Sequence, residues 1–202
     1  MDLATLARAY DRSAATYDER FRALQRPKYR AAAQLLEQVG FALAPLAADP
    51  LILDAGAGTG LFVEWLADPQ EPHPALRASL LALVQRRRFL ALDVSCEMLR
   101  RALPRTPAVV AADLARPPLR ARSCALVLSF TALLENVPAS LRALGALVGP
   151  GGCLCASFLA RESPAPEELA RLSGLLPTSP PLAAGQDLVH VVGQGEPLAG
   201  KP

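Results

Sequence analysis

Short, unbroken apolar runs alternate with helical patterns along most of this chain. The runs are LILDA from residue 51, FLALD from 89, AVVAAD from 108, CALVLSF from 124, CLCASFL from 153 and DLVHVVG from 187. Strands that are apolar at every position are typical of a parallel sheet buried on both faces. The sequence therefore predicts an α/β protein, with a Rossmann-like, open, mostly parallel sheet of six or seven strands and helices on both faces.

Helical periodicity fills most of the segments between these runs. Pro138 begins one helix, and the prolines within 68–74 separate two others. Residues 177–185 have the composition of a loop. The predicted helices are 2–24, 28–43, 61–68, 75–87, 95–103, 138–148 and 166–172.

Composition excludes several classes of function. A formal net charge of +2 argues against a nucleic-acid binder with a broad phosphate-neutralising face. The two histidines, His73 and His190, lie far in sequence from the four cysteines, so a zinc site is not expected. The N-terminus carries early charges unlike a signal peptide, and no apolar stretch reaches the roughly 18–20 residues of a membrane span. We expect a cytoplasmic protein without metal, nucleic-acid partner or membrane contact.

A glycine loop directly follows the first strand and precedes a helix, in the sequence DAGAGTG from Asp54 to Gly60. In open α/β sheets this turn lies at the edge where ligands bind. The dinucleotide fingerprint G-x-G-x-x-G fails, because Leu61 stands at its last position counted from Gly56, and the Lys-Ser/Thr of a P-loop is absent. Asp54 beside the loop disfavours phosphate and favours a cationic ligand, such as a sulfonium carrying an amino-acid moiety.

Further segments complete a pattern around this loop. The second strand ends in Asp93, followed by Ser95 and Met98, and the third ends in Asp113-Leu114. Then come the strand exit 124–136 and the helix, Pro-Gly-Gly and strand of 141–158, while YDRSAATYDERF (10–21) precedes the loop. In this order the segments resemble the class I S-adenosylmethionine-dependent methyltransferases, over about residues 10–160.

The resemblance implies S-adenosylmethionine as the cofactor. It implies that Asp93 accepts hydrogen bonds from the ribose hydroxyls, that Asp113 and Leu114 hold the adenine, and that Tyr17 covers the methionine end. The full implied cofactor-binding set is Tyr17, Asp54, Ala55, Gly56, Gly58, Gly60, Asp93, Val94, Ser95, Met98, Asp113, Leu114, Ser129 and Phe130. It also divides the chain into an N-terminal helical lid (1–45), the cofactor-binding domain (46–195) and a tail (196–202).

Two departures from the family pattern are visible. Asp93 lies 33 residues beyond Gly60, where about 20 is usual, because residues 68–87 add a helix that we interpret as an inserted cap or interface. The C-terminus shows one clear strand, 187–193, where the family has an antiparallel pair. The sheet is therefore expected to have six strands, or seven if 175–185 supplies a poor one.

The predicted function is methyl transfer from S-adenosylmethionine to a small-molecule acceptor, by a monomer or homodimer. Transfer from a sulfonium depends mainly on orientation, so no conspicuous nucleophile is required. The candidate catalytic residues are Tyr10, Tyr17, Glu135 and Asn136, and packing of the lid explains either tyrosine equally well. A catalytically inactive S-adenosylmethionine-binding regulatory or partner protein remains the alternative. A protein or RNA methyltransferase is disfavoured by the small size and near-neutral charge.

Overall fold

One mixed sheet organises the molecule. The computed structural model describes residues 2–41, 50–133 and 136–194. The strands follow the order β3-β2-β1-β4-β5-β8-β6, with β7 also paired to β8; β1 to β5 are parallel and β8 is antiparallel to β5. Their bounds are β1 Leu51–Ala55, β2 Phe89–Asp93, β3 Val109–Ala111, β4 Cys124–Phe130, β5 Val148–Leu159, β6 Leu176–Pro177, β7 Leu182–Ala184 and β8 Asp187–Gly193. The predicted α/β architecture is confirmed.

Helices cover both faces of this sheet. Trp65 and Phe89 belong to the core on one face, and Leu144 and Leu169 belong to the core on the other. Because each face is buried, the central strands are apolar at successive positions. The helices are α1 Leu3–Ser13, α2 Tyr17–Gln38, α3 Leu61–Ala67, α4 Pro74–Gln85, α5 Cys96–Ala102, α6 Val137–Leu147 and α7 Pro166–Ser173. Within the described ranges, no helix has both the length and the apolar character needed to cross a membrane.

The sheet has more strands at its C-terminal side than the sequence predicts. Eight strands are present among the described residues, because part of the predicted loop 177–185 pairs with β8 as β6 and β7. Both strands are very short, since Pro177, Pro180 and Pro181 cannot donate to a ladder. Residues 148–152 also belong to β5, with a register shift in its pairing to β4, so this strand begins before the predicted Cys153.

The N-terminal helices break at a different place from the one predicted. A 3₁₀ turn at Ala14–Thr16 separates α1 from α2, and α2 runs through Pro27 without ending there. Proline inside a helix loses one hydrogen bond, but α2 buries Tyr29, Leu35 and Leu36 against the sheet. Tertiary packing outweighs the local cost, so the expected boundary between 24 and 28 is wrong.

Buried charges tie the inserted segment 68–87 to its own chain. Arg77 is 6% exposed and donates to the backbone oxygens of Glu71 (2.6 Å), Leu66 (3.0 Å) and Asp68. The Glu71 carboxylate in turn accepts hydrogen bonds from Arg26 and Arg30 of α2 at 2.7 and 2.6 Å. The segment is thus a packed part of the domain, held along α2 and α3.

Replacing Arg77 with Met is expected to lower the free energy of unfolding by about 2–3 kcal/mol, because buried carbonyls lose their donors. Urea unfolding measures this loss. Arg142→Met, on the exposed side of α6, is the matched control and should change stability by less than about 0.5 kcal/mol. Equal effects of the two substitutions would contradict the role given to Arg77.

Candidate functional site

A cavity of about 280 Å³ opens at the carboxyl ends of the parallel strands. Eleven of the residues predicted to form the site line it: Tyr10, Tyr17, Gly56, Gly58, Asp93, Val94, Met98, Asp113, Leu114, Phe130 and Asn136. The volume lies near the lower end of the roughly 300–1,000 Å³ typical of small-molecule sites. Residues far apart in sequence therefore converge at the edge of the sheet where the glycine loop was expected to bind a ligand.

Sequence reasoning missed six further lining residues: Leu3, Leu6, Ala115, Thr131, Ala132 and Ser140. Leu3 and Leu6 share a helix face with Tyr10, and that spacing was visible in the sequence. Ala115 directly follows the predicted pair Asp113-Leu114. The other three depend on how the chain turns after β4, which no local pattern encodes.

The glycine loop bends sharply at the end of β1. Gly56, Gly58 and Gly60 have φ of 82°, 55° and 81°, a region that side chains rarely adopt. A Cβ atom on Gly56 would lie 2.0 Å from the Cβ of Ala132. Gly56 is therefore required by the close approach of the chain after β4, whereas Gly58 faces the cavity.

Asp93 is held rigidly at the end of β2. Its Oδ2 accepts from the backbone N–H of Gly58 and its Oδ1 from that of Ser95, each at 2.8 Å. Burial raises the pKa of Asp93, and these two hydrogen bonds oppose the shift. Each oxygen keeps further acceptor capacity toward the cavity. The side chain presents two fixed acceptors beside the loop.

Five residues of the implied set are absent from the wall of the main cavity: Asp54, Ala55, Gly60, Ser95 and Ser129. Gly60 begins α3, and Ser95 caps α5 by accepting from the N–H of Met98 at 3.1 Å. Ala55 and Ser129 are fully buried, and the Ser129 hydroxyl has no hydrogen-bond partner among the described residues. Ser129 and Phe130 point to opposite faces of β4, and of the two only Phe130 lines the cavity.

Asp54 borders a second, smaller chamber of about 20 Å³ that adjoins the main cavity. The two spaces share Tyr17, Gly56 and Phe130 as walls. Burial and the nearby Asp93 raise the pKa of Asp54 to about 7. The Oε1 atom of Gln25, also at the chamber, has no partner among the described residues. The chamber therefore offers unmet acceptors to a ligand group.

The N-terminal helices close over the cavity and are anchored by two carboxylates. Asp11 accepts from the Ser95 hydroxyl at 2.6 Å and from the Glu97 N–H at 3.2 Å. Asp18 accepts from the Thr59 hydroxyl at 2.5 Å and from Arg105 at 2.6 Å. Because the anchoring groups belong to the glycine loop and to α5 with its flanking residues, the N-terminal helices are joined to the elements that form the site.

The two lining tyrosines keep their protons at neutral pH. Burial raises the pKa of Tyr17 to about 12, and burial with the charge of Asp93 also raises that of Tyr10. Both phenols can therefore donate hydrogen bonds but cannot act as anionic bases near pH 7. Among the other candidates, Asn136 is at the N-cap of α6, and Glu135 lies outside the described residues.

The end of β4 is supported by a buried ion pair. Lys28 of α2 pairs with Asp187 at the start of β8 and donates to Thr131 Oγ1 at 2.6 Å. Thr131 has a φ of 53°, an uncommon conformation for a β-branched residue. In the described part of the chain, no cluster of three His, Cys, Asp or Glu side chains could hold a metal ion.

Solved structures of S-adenosylmethionine-dependent methyltransferases share this fold. The protein of Thermotoga maritima is 16% identical with a TM-score of 0.62, over 94% of this chain and 99% of its own. The protein of Aquifex aeolicus is 17% identical with a TM-score of 0.54, over 83% of this chain and 91% of its own. The TehB-like protein of Corynebacterium glutamicum is 16% identical with a TM-score of 0.52, over 82% of this chain and 88% of its own. No family model matches the sequence, and neither does a curated protein. The chain has the class I methyltransferase fold.

Proposed function

We propose that this protein binds S-adenosylmethionine in the main cavity and transfers its methyl group to a small-molecule acceptor. The observation that carries the proposal is the Asp93 carboxylate, fixed by the Gly58 and Ser95 N–H groups at the cavity wall. A vicinal diol offers two O–H donors, and this carboxylate offers two immobile acceptors. The methyltransferase fold supports the same assignment.

The rest of the cavity fits the two ends of the cofactor. Asp113 Oδ1 accepts from the Ala115 N–H at 2.9 Å, which orients the carboxylate, and the adjoining Leu114 supplies an apolar surface for the adenine. At the other end, Asp54 and the Gln25 Oε1 would accept from the methionine ammonium group, with Tyr17 above it. The unpaired Gln25 Oε1 and the buried Asp54 carboxyl of the small chamber support this placement of the cofactor.

When bound, the cofactor supplies a methyl group on a sulfonium. The leaving group is a neutral thioether, so its departure needs no acid. The protein then contributes orientation and exclusion of water. Leu3 and Leu6 roof the cavity, and Phe130 forms its wall. Tyr10 and Tyr17, which hold their protons, can donate to the acceptor or the cofactor. In this proposal residues 1–45 act as the lid of a cytoplasmic enzyme; three of the four cysteines are buried and all are free, as in reducing compartments.

Calorimetric titration with S-adenosylmethionine tests the binding step, and we expect saturable binding of one molecule per chain. Release of S-adenosylhomocysteine in the presence of a panel of small metabolites tests the transfer step. Binding without turnover on any acceptor would favour the inactive regulatory protein. Absence of binding would overturn the proposal.

Gly58→Ala is expected to weaken cofactor binding about tenfold, because a methyl group would enter the cavity wall beside the fixed Asp93 bond. It should also lower stability by about 1–2 kcal/mol, since φ is 55°. Gly185→Ala is the matched control: its φ is 65° and nothing lies within 4 Å of the new Cβ. Titration should show an unchanged affinity for that control; equal weakening by both would contradict a direct role for Gly58.

A further inference from the structure

The apolar face of α1 has little protein to pack against. Leu3, Leu6 and Tyr10 lie on one side of the helix, at positions i, i+3 and i+7, and all three line the cavity. No residue of α1 is buried, and Leu3 remains 42% exposed. The helix is nevertheless fixed in place through Asp11, which binds Ser95. Its apolar side chains therefore face the ligand space directly.

The charges around this space have one sign. Of the described lining residues, Asp93 and Asp113 are the charged ones, and none is Lys, Arg or His. Two basic side chains that contact lining or loop residues already have acidic partners: Lys28, which donates to Thr131, pairs with Asp187, and Arg105, which donates to the Thr59 backbone oxygen, pairs with Asp18. No described lining side chain carries a positive charge that could pair with an anionic group on an acceptor, so only the sulfonium of the cofactor could offset the burial of such a group beside the carboxylates. In the complex with S-adenosylhomocysteine, which has no sulfonium, that burial is strongly unfavourable.

Neutral polar groups complete the wall that the cofactor leaves free. Asn136 and Ser140 stand one helical turn apart on α6, and both line the cavity near Thr131. The Asn136 amide and the Ser140 hydroxyl can orient an uncharged amine on an acceptor. Its nitrogen lone pair would attack the methyl carbon as the C–S bond breaks, the neutral thioether would leave, and the methylated ammonium would release its proton to water. Leu3, Leu6 and Phe130 also line the cavity, so this part of the wall combines apolar side chains with a few neutral hydrogen-bonding groups.

We propose that the methyl acceptor is a molecule with an apolar body and no anionic group, held against the Leu3–Leu6–Tyr10 face of α1. The inference rests on the proposed function, since it assigns the acceptor's part of the same cavity. The inference excludes carboxylate- and phosphate-bearing acceptors, and it predicts that α1 sets the preference for uncharged over anionic acceptors. A positive charge introduced at Leu6 should reverse this preference.

Two matched probes test this, 2-naphthalenemethanol and 2-naphthoate, which share a ring system and differ in charge. Equilibrium dialysis against protein saturated with S-adenosylhomocysteine measures both dissociation constants. We expect the alcohol to bind at least tenfold more tightly than the carboxylate. Leu6→Lys should weaken binding of the alcohol at least tenfold and strengthen binding of the carboxylate at least fivefold. Leu24→Lys is the matched control, since Leu24 is an exposed leucine of α2 outside the cavity wall and should change neither value.

Equal or tighter binding of the carboxylate, no binding of either probe, or the same response to Leu6→Lys and Leu24→Lys would each overturn the inference. Circular dichroism confirms that both variants are folded. The saturation step separates this result from the proposed function: if S-adenosylhomocysteine binds and the probes fail, the acceptor class alone is wrong. If S-adenosylhomocysteine does not bind, the proposed function fails, and the probe preference is read on the free protein.

Discussion

Asp93→Ala is expected to weaken S-adenosylmethionine binding by about 100- to 10,000-fold. The carboxylate would accept two hydrogen bonds from the ribose, and a hydrogen bond to a charged group is worth about 1.5–3 kcal/mol. The substitution also frees the Gly58 N–H that Asp93 now holds at 2.8 Å. Calorimetric titration of the wild type and the variant, at the same pH and salt, measures the ratio of dissociation constants.

The same substitution should leave the free protein folded. Burial raises the pKa of Asp93, so the ionised side chain destabilises the folded protein when no ligand is bound. Asp93→Asn, which keeps the shape of the side chain, provides a second variant that separates loss of charge from loss of packing. Glu167→Ala, on the exposed surface of α7, is the control and should bind with wild-type affinity. Wild-type affinity in both Asp93 variants would contradict the assignment of the ribose site.

Asp54→Asn is expected to remove a large pH dependence of stability. Because the pKa of Asp54 rises from 3.8 to about 7 on folding, the folded state binds its proton more tightly than the unfolded chain does. Its contribution is complete below pH 3.8 and is lost as the pH rises through about 7. The loss amounts to at most about 4 kcal/mol at 1.36 kcal/mol per pKa unit.

Urea unfolding at pH 5 and at pH 8 measures this effect. The variant should gain stability over the wild type between these values, because it has no proton to lose, while other titrating groups cancel in the difference. Asp2→Asn is the control: a hydrogen bond from Thr5 lowers the pKa of Asp2 below 3.8, so its titration lies below pH 5 and the variant should show no such gain. A constant difference between wild type and Asp54→Asn would show that Asp54 is ionised in the folded protein throughout this range.

The sheet and the glycine loop were predictable from local patterns, because a buried parallel strand is apolar along its length. The predicted helix boundary at Pro27 was wrong, because α2 continues through Pro27 and is stabilised by the packing of Tyr29 and Leu36, which the local sequence does not show. The prolines of 177–181 led to the prediction of a loop in place of β6 and β7. These two strands form because each pairs with β8. Short strands with such composition depend on their partner more than on their own sequence.

The site residues at the ends of strands were predictable from the sequence. Those whose position depends on the tertiary arrangement of the turn after β4 and of α6 were not. Asp93 and Asp113 end or closely follow neighbouring strands, so their convergence follows from topology. Thr131 and Ser140 line the cavity because of the turn after β4 and the placement of α6.

A crystal structure of the protein with S-adenosylhomocysteine tests the central claim most directly. We expect density for the ligand in the main cavity, with the ribose hydroxyls within hydrogen-bonding distance of Asp93 and the amino group of the methionine moiety toward Asp54. Density at another place, or an empty cavity in crystals grown at saturating ligand, would contradict it.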